Sequence, residues 1–132
     1  MLNDIDYFKD KLKIDKNNLD GCIIEQPALF QQVSHIYTQK LAERDYAHEQ
    51  YKREYAKLFV ELKNSGQKLT DKLVESMVMV SPSYEEKRDD FLNKQKEVNE
   101  WAALKEAYAQ RNYMLKELSN LFSANYYTRD AY

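Results

Sequence analysis

The sequence predicts an all-α protein, a long antiparallel helical hairpin with short N-terminal and connector helices. The 132 residues include only two glycines and two prolines, and most turns need such residues. Two stretches, 28–64 and 83–124, contain neither. Charged residues make up 32% and apolar residues 43% of the chain, a balance typical of long helices and coiled coils. We expect helix to exceed roughly 70% of the residues, without a sheet.

A short amphipathic helix is predicted over residues 3–13. Ile5, Phe8 and Leu12 recur there at steps of three and four, which places them on one face. The polar run that ends in Gly21 is expected to separate this helix from the next.

The first long helix is predicted over residues 27–64. Pro27 suits the first helical position, where its missing N–H would have had no partner. Gly66 follows the predicted end and can take the left-handed conformation of a C-cap. Alternating steps of four and three define a coiled-coil-like seam. Its members are Phe30, Ser34, Tyr37, Leu41, Arg44, His48, Tyr51, Tyr55, Leu58 and Leu62.

Two further helices complete the prediction. A connector helix is expected over residues 70–80, with Thr70 as its N-cap. A second long helix is expected over 82–124, because Pro82 suits its first position and neither glycine nor proline follows. Residues 125–132 are expected to form a flexible tail.

The connector helix has two apolar faces. Leu73, Met77 and Val80 share one face, whereas Val74 and Val78 share another. We therefore expect this helix to be covered on more than one side.

The chain length suits a single helical domain spanning residues 1–132. A two-helix hairpin with short additional pieces cannot enclose a full core, so we expect a homo-oligomer. The expected interface lies on the second long helix and consists of Trp101, Tyr108, Leu115, Leu118 and Phe122.

Enzyme, cofactor and metal motifs are absent from the sequence, which predicts a non-enzymatic protein without cofactors. His35 and His48 lie thirteen residues apart and do not share a metal-binding face. Asp45 and His48 are three residues apart and can form a hydrogen bond, which we expect to be a structural contact in the seam and not part of a metal or catalytic site. The single cysteine, Cys22, excludes an intrachain disulfide and fits the cytoplasm. No apolar run approaches the ~20 residues that a membrane helix needs.

A candidate nucleic-acid interface lies on the first long helix. Lys52, Arg53 and Lys57 fall within two turns, beside Tyr51 and Tyr55. Basic side chains can contact phosphates, and tyrosines can stack on unpaired bases. Tyr51 and Tyr55 also fall on the seam, so the alternative for them is packing with the hydroxyl at the helix edge. Further lysines occur around the helix end. The complete candidate set is Lys52, Arg53, Lys57, Lys63 and Lys68.

A solvated helix face is the alternative interpretation of these basic residues, because Glu49 and Glu54 can pair with Arg53 and Lys57. The net charge of −2 also differs from that of a strongly basic nucleic-acid binder. Repetition around an oligomer would strengthen the basic patch. Tyr46 is one of several tyrosines that do not fit the predicted core.

The order of these segments carries a family resemblance. Leu19 and Asp20 lead to the segment 26–29, Gln-Pro-Ala-Leu, and a long charged helix then ends in Ser65 and Gly66. With the acidic N-terminal helix and the second long helix, this organisation resembles the recombination mediators of tailed phages. These small helical proteins help to load a RecA-like recombinase onto single-stranded DNA covered by single-strand-binding protein.

The sequence departs from that family before Ser65. The family tends to carry several basic residues and a Tyr-Tyr pair there, whereas this chain has only Lys57 and Lys63 as bases and no aromatic pair. The resemblance nevertheless implies a homo-oligomer that binds single-stranded DNA and acts in recombination and repair, in the host cytoplasm if phage-encoded. Its partners would be the recombinase and the single-strand-binding protein. The alternative is a non-enzymatic structural or adaptor protein, such as a phage assembly or scaffolding component, without nucleic-acid binding.

Overall fold

The computed structural model describes residues 4–124, and within this range it contains helices and no strands. Helical residues make up 87% of the structure, and the two long helices pack against each other. The predicted all-α hairpin with additional short helices is therefore confirmed. None of the helices in the described range is long and apolar enough to cross a lipid bilayer. The predicted tail, residues 125–132, lies outside the described residues. The helices are α1 (Ile5–Asp10), α2 (Leu19–Lys63), α3 (Asp71–Met79) and α4 (Pro82–Ser123), with a 3-10 turn at Lys16–Asn18 before α2.

Helix α1 is shorter than the predicted 3–13. The carboxylate of Asp4 caps it by accepting a hydrogen bond of 3.0 Å from the Asp6 amide. At the other end the backbone N–H of Lys11 turns back to the Tyr7 carbonyl, so the helix closes at Asp10.

The predicted start of the first long helix at Pro27 is wrong, because α2 begins at Leu19. Gly21 does not interrupt α2, and Pro27 lies in its interior. An interior proline removes one backbone hydrogen bond and costs about 3 kcal/mol in a helix. Tertiary contacts offset this cost, since Cys22 and Gln26 are buried one and two turns into the helix.

The chain forms two compact units, and α2 and α4 both run through them. The terminal unit is Met1–Thr38 with Glu100–Tyr132, and the connector unit is Gln39–Asn99. Each unit has its own hydrophobic cluster.

In the terminal unit, α1 packs against the first half of α2 and the second half of α4. The phenol of Tyr108 donates a 2.6 Å hydrogen bond to the Phe8 carbonyl, and Gln26 Nε2 donates one of 2.8 Å to the Tyr108 carbonyl. These bonds join segments that are far apart in sequence. The buried cluster comprises Phe8, Leu29, Val33, Ile36, Trp101, Leu104 and Tyr108.

A buried guanidinium extends this polar network. Arg111 donates hydrogen bonds to the Leu12 carbonyl, at 3.2 Å, and to Gln26 Oε1. Its guanidinium carbon also lies 5.9 Å from the centre of the Tyr108 ring. Burial raises the pKa of Tyr108 to about 12, and the positive charge of Arg111 acts in the opposite direction.

The predicted oligomer interface is wrong for three of its five residues. Trp101, Tyr108 and Leu115 are buried inside the chain's own terminal unit. Leu118 is half-buried and Phe122 is exposed. The error arose because α1 and the unexpected first turns of α2 cover this part of α4.

In the connector unit, α3 packs against α2 and the start of α4. Gly66 has φ of 83° beyond the end of α2, as expected for a C-cap glycine. Thr70 caps α3 by accepting a 3.2 Å hydrogen bond from the Leu73 amide. The small core consists of Val74, Val78 and Tyr84, bordered by half-buried Tyr51, Tyr55, Leu58, Phe59, Leu62 and Leu69.

Helix α3 is not covered on two sides in this chain. Val74 and Val78 are fully buried, whereas Leu73, Met77 and Val80 remain 48%, 37% and 70% exposed. Within one chain the expectation is therefore not met, because α2 and α4 reach only one face of this short helix.

Candidate nucleic-acid interface

The five predicted basic residues all lie in the connector unit and are exposed. They do not form one edge. At about 100° per residue, Arg53 and Lys57 lie on the face of α2 opposite Tyr55, which packs on the core. Lys52 and Lys63 lie on a flank instead, and Lys68 belongs to the loop that precedes α3.

Lys63 has a structural role. Its ammonium lies 2.7 Å from Asp71 Oδ1 and donates a 3.2 Å hydrogen bond to the Leu69 carbonyl. These contacts hold the start of α3 against the end of α2. Lys63 is therefore engaged within the protein and offers less charge to a ligand than its neighbours do.

The other three predicted basic residues on α2 form no ion pairs within the described part of the chain. Within residues 4–124, no carboxylate lies within 4 Å of the charged groups of Lys52, Arg53 and Lys57. The pairs of Arg53 with Glu49 and of Lys57 with Glu54, expected for a neutralised face, are therefore not formed as ion pairs. The alternative interpretation of this face as internally paired loses that support.

The rings of Tyr51 and Tyr55 face the protein. Tyr51 lies 5.3 Å from Phe91 and 6.0 Å from Tyr84, measured between ring centroids. Tyr55 lies 5.9 Å from Tyr84 and 6.2 Å from Phe59. Loss of hydration raises the pKa of Tyr55 above its ordinary value, and Glu75 adds to this rise. The interpretation of both tyrosines as seam residues is confirmed, because their rings pack on the core. Base stacking by either ring stays a prediction.

An exposed aromatic on the outward face was missed as a site residue. Tyr46 is 68% exposed and precedes Arg53 by seven residues and Lys57 by eleven. These intervals are near whole numbers of helical turns, so the three side chains share one face of α2. The same spacing is present in the sequence. We call Tyr46, Arg53 and Lys57 the outward stripe.

The polar centre of the α2 seam forms ordinary packing contacts. Arg44 bonds Asp45 at 2.9 Å, which leaves the expected contact of Asp45 with His48 unformed. The His48 ring instead lies 5.0 Å from Phe91 and 5.1 Å from Tyr51. Among the described residues, no group of three or more histidine, cysteine, aspartate or glutamate side chains could hold a metal ion.

Comparisons with protein-family models, curated proteins and solved structures found no match to this chain. The chemistry of the surface and the resemblance in segment order are therefore the grounds on which a function is proposed.

Proposed function

We propose that the protein is a non-catalytic, recombination mediator-like protein that binds single-stranded DNA as a homo-oligomer and assists recombinase loading. The outward stripe carries the DNA-binding part of this proposal. Tyr46, Arg53 and Lys57 share an exposed face, and Lys52 adds an open positive charge on the flank. The roles of a RecA-like recombinase and a single-strand-binding protein come from the resemblance alone.

The stripe combines the two kinds of contact that unpaired nucleic acid needs. Arg53 and Lys57 can neutralise phosphates, and each phosphate contact releases condensed counterions. Tyr46 offers a ring for base stacking, which is worth about 1–3 kcal/mol per base. The spacing of one and two helical turns lets consecutive nucleotides run along α2.

One protomer provides only a weak field. The connector unit contains twelve basic and twelve acidic side chains, and the whole chain carries a net charge of −2. Repetition of the stripe in an oligomer would let weak contacts add along one DNA strand.

The test is fluorescence anisotropy of a labelled oligothymidylate across a salt series. Changing Lys52, Arg53 and Lys57 together to Ala should weaken binding at least tenfold. The salt slope should become shallower by about 2, since each single-strand phosphate contact contributes about 0.7. A matched control changes three exposed lysines of the terminal unit, Lys9, Lys13 and Lys116, to Ala and should retain most of the affinity.

Tyr46→Ala separates stacking from charge. This variant should lose roughly tenfold in affinity while its salt slope stays unchanged, because no phosphate contact is removed. A basic triple variant with wild-type affinity and slope would show that the DNA lies elsewhere.

A structural or adaptor protein without nucleic-acid binding is the second candidate. The exposed apolar face of α3 and the balanced charge of the connector unit favour protein contacts. Wild-type protein that fails to bind the oligonucleotide even at low salt would replace the first proposal by this one.

A further inference from the structure

We infer that the connector unit pairs with a second copy of this chain through one apolar face of α3. This surface has two adjacent parts. The α3 ridge is Leu73, Met77 and Val80, and the α2–α3 groove is lined by Leu58, Glu61, Leu62, Met77, Val78 and Ser81.

The ridge is a continuous apolar strip. Its three side chains are spaced by four and three residues, so they follow one line along α3 to Val80, the C-cap of that helix. They are 48%, 37% and 70% exposed, although the same helix buries Val74 and Val78 completely. Contiguous exposed apolar surface of this kind marks interaction sites.

The groove runs beside the ridge. Leu58 and Leu62 of α2 form one wall, while Met77 and Val78 of α3 form the other. Met77 belongs to both parts, so a protruding strip and an apolar depression adjoin on one surface. Such a surface is self-complementary: under a two-fold rotation, each copy's ridge enters the other copy's groove.

The charges at the edges suit the same arrangement. Lys72 is exposed beside the ridge, and Glu61 is exposed on the rim of the groove. Within residues 4–124, neither has an ion-pair partner closer than 4 Å. When the ridge of one copy enters the groove of the other, Lys72 of the first copy therefore approaches Glu61 of the second, and the two charges are opposite.

The balance of charge favours a second copy over a strongly charged partner. Residues 39–99 carry equal numbers of basic and acidic side chains, so two copies approach without net repulsion. A highly basic or acidic peptide would gain no net attraction from this unit. An apolar centre with a polar rim is also the usual composition of a protein interface.

The paired surface does not contain Lys52, Arg53 or Lys57. At about 100° per residue, Leu58 and Leu62 lie well away from the outward stripe on the circumference of α2. Pairing and DNA binding therefore use separate residues. The inference rests on the oligomer of the proposed function and names its interface, so a monomeric wild type would remove both. Loss of DNA binding in the Lys52, Arg53 and Lys57 triple variant at unchanged mass would leave the pairing intact.

Light scattering after gel filtration, at tens of micromolar, tests the ridge. The chain mass is 15.8 kDa, and the wild type should give at least twice this value. Leu73→Asp and Val80→Asp should each raise the dissociation constant at least tenfold and shift the mass toward that of one chain. Leu92→Asp is a matched control, because Leu92 is 47% exposed on α4, compared with 48% for Leu73.

Circular dichroism and thermal melting establish that each variant folds, and the exposed position of Val80 makes this expected. A wild type with the mass of one chain would overturn the inference. So would Leu73→Asp and Val80→Asp variants that keep the wild-type mass, or a Leu92→Asp control that dissociates equally.

A charge exchange provides a second, independent test that leaves the apolar residues intact. Glu61→Lys and Lys72→Glu should each weaken pairing several-fold, because each places like charges across the interface. The double variant restores opposite charges and should recover most of the wild-type affinity. A double variant weaker than either single variant would contradict the proposed two-fold arrangement.

Discussion

The two units of this protein differ in the size of their buried cores and in how completely those cores are covered. The terminal unit buries seven hydrophobic residues in one cluster and adds a hydrogen-bonded network around Arg111 and Tyr108. The connector unit has a smaller buried cluster, Val74, Val78 and Tyr84, with half-buried side chains around it. The terminal cluster is enclosed by its own chain, whereas the connector unit leaves one whole apolar face of α3 uncovered.

The physical basis of this difference is the number of helices that meet. Three helical segments enclose the terminal core, and Tyr108 and Arg111 bond to backbone carbonyls of Phe8 and Leu12. In the connector unit, α3 is only nine residues long, so one of its apolar faces stays uncovered. Stability should therefore depend most on the terminal unit.

Truncating Tyr108 should have the largest effect on stability. Tyr108→Ala removes a fully buried ring and leaves the Phe8 carbonyl without its donor. We expect a loss of about 3–5 kcal/mol in the free energy of unfolding, measured by urea denaturation. Tyr113→Ala is the control: Tyr113 is 64% exposed, and its loss should change stability by less than about 0.5 kcal/mol. Equal effects of the two changes would contradict the assignment of Tyr108 to the core.

A matched valine pair compares the two units directly. Val33 in the terminal unit and Val78 in the connector unit are both fully buried. Each change to Ala should cost about 2 kcal/mol locally, because two methyl-sized groups and their packing are lost. Val33→Ala should lower global stability, whereas Val78→Ala should mainly raise hydrogen exchange in α3. If Val78→Ala lowers amide protection equally throughout α2 and α4, the connector core is as important to global stability as the terminal core.

Replacing Pro27 should have the smallest effect, and its sign is informative. Pro27→Ala restores a backbone donor inside α2, while the unfolded chain gains freedom worth about 0.4–1 kcal/mol. We expect a net stabilisation of no more than about 2 kcal/mol, measured as an increase in the urea midpoint. A loss of stability in Pro27→Ala would contradict the interior position of Pro27 in α2, because a proline at the first position of a helix is favourable.

Local signals in the sequence predicted many of the helix ends. Thr70 caps α3, Gly66 has the left-handed conformation beyond α2, and Pro82 begins α4. Each signal acts through its own backbone or through a neighbour within one turn, so a single sequence contains enough information to locate it. The start of α2 was missed because helix around Pro27 depends on distant partners of Gln26.

The candidate site was predicted only in part. The exposure of Lys52, Arg53 and Lys57 agreed with the sequence, since charged side chains seldom enter a core. The rings of Tyr51 and Tyr55 pack on Tyr84, as their seam positions predict, and Tyr46 is the tyrosine on the outward face.

The sequence by itself determined that the chain is helical, because helix period, end caps and scarce glycine and proline are local properties. The tertiary structure decided which apolar residues are covered. Trp101 and Tyr108 are enclosed by their own chain, while Leu73 and Val80 stay exposed on a short helix with equally apolar spacing. Helical periodicity shows that residues share a face, but burial depends on which segment packs against that face. That choice is made by long-range contacts, such as the bond from Tyr108 to the Phe8 carbonyl.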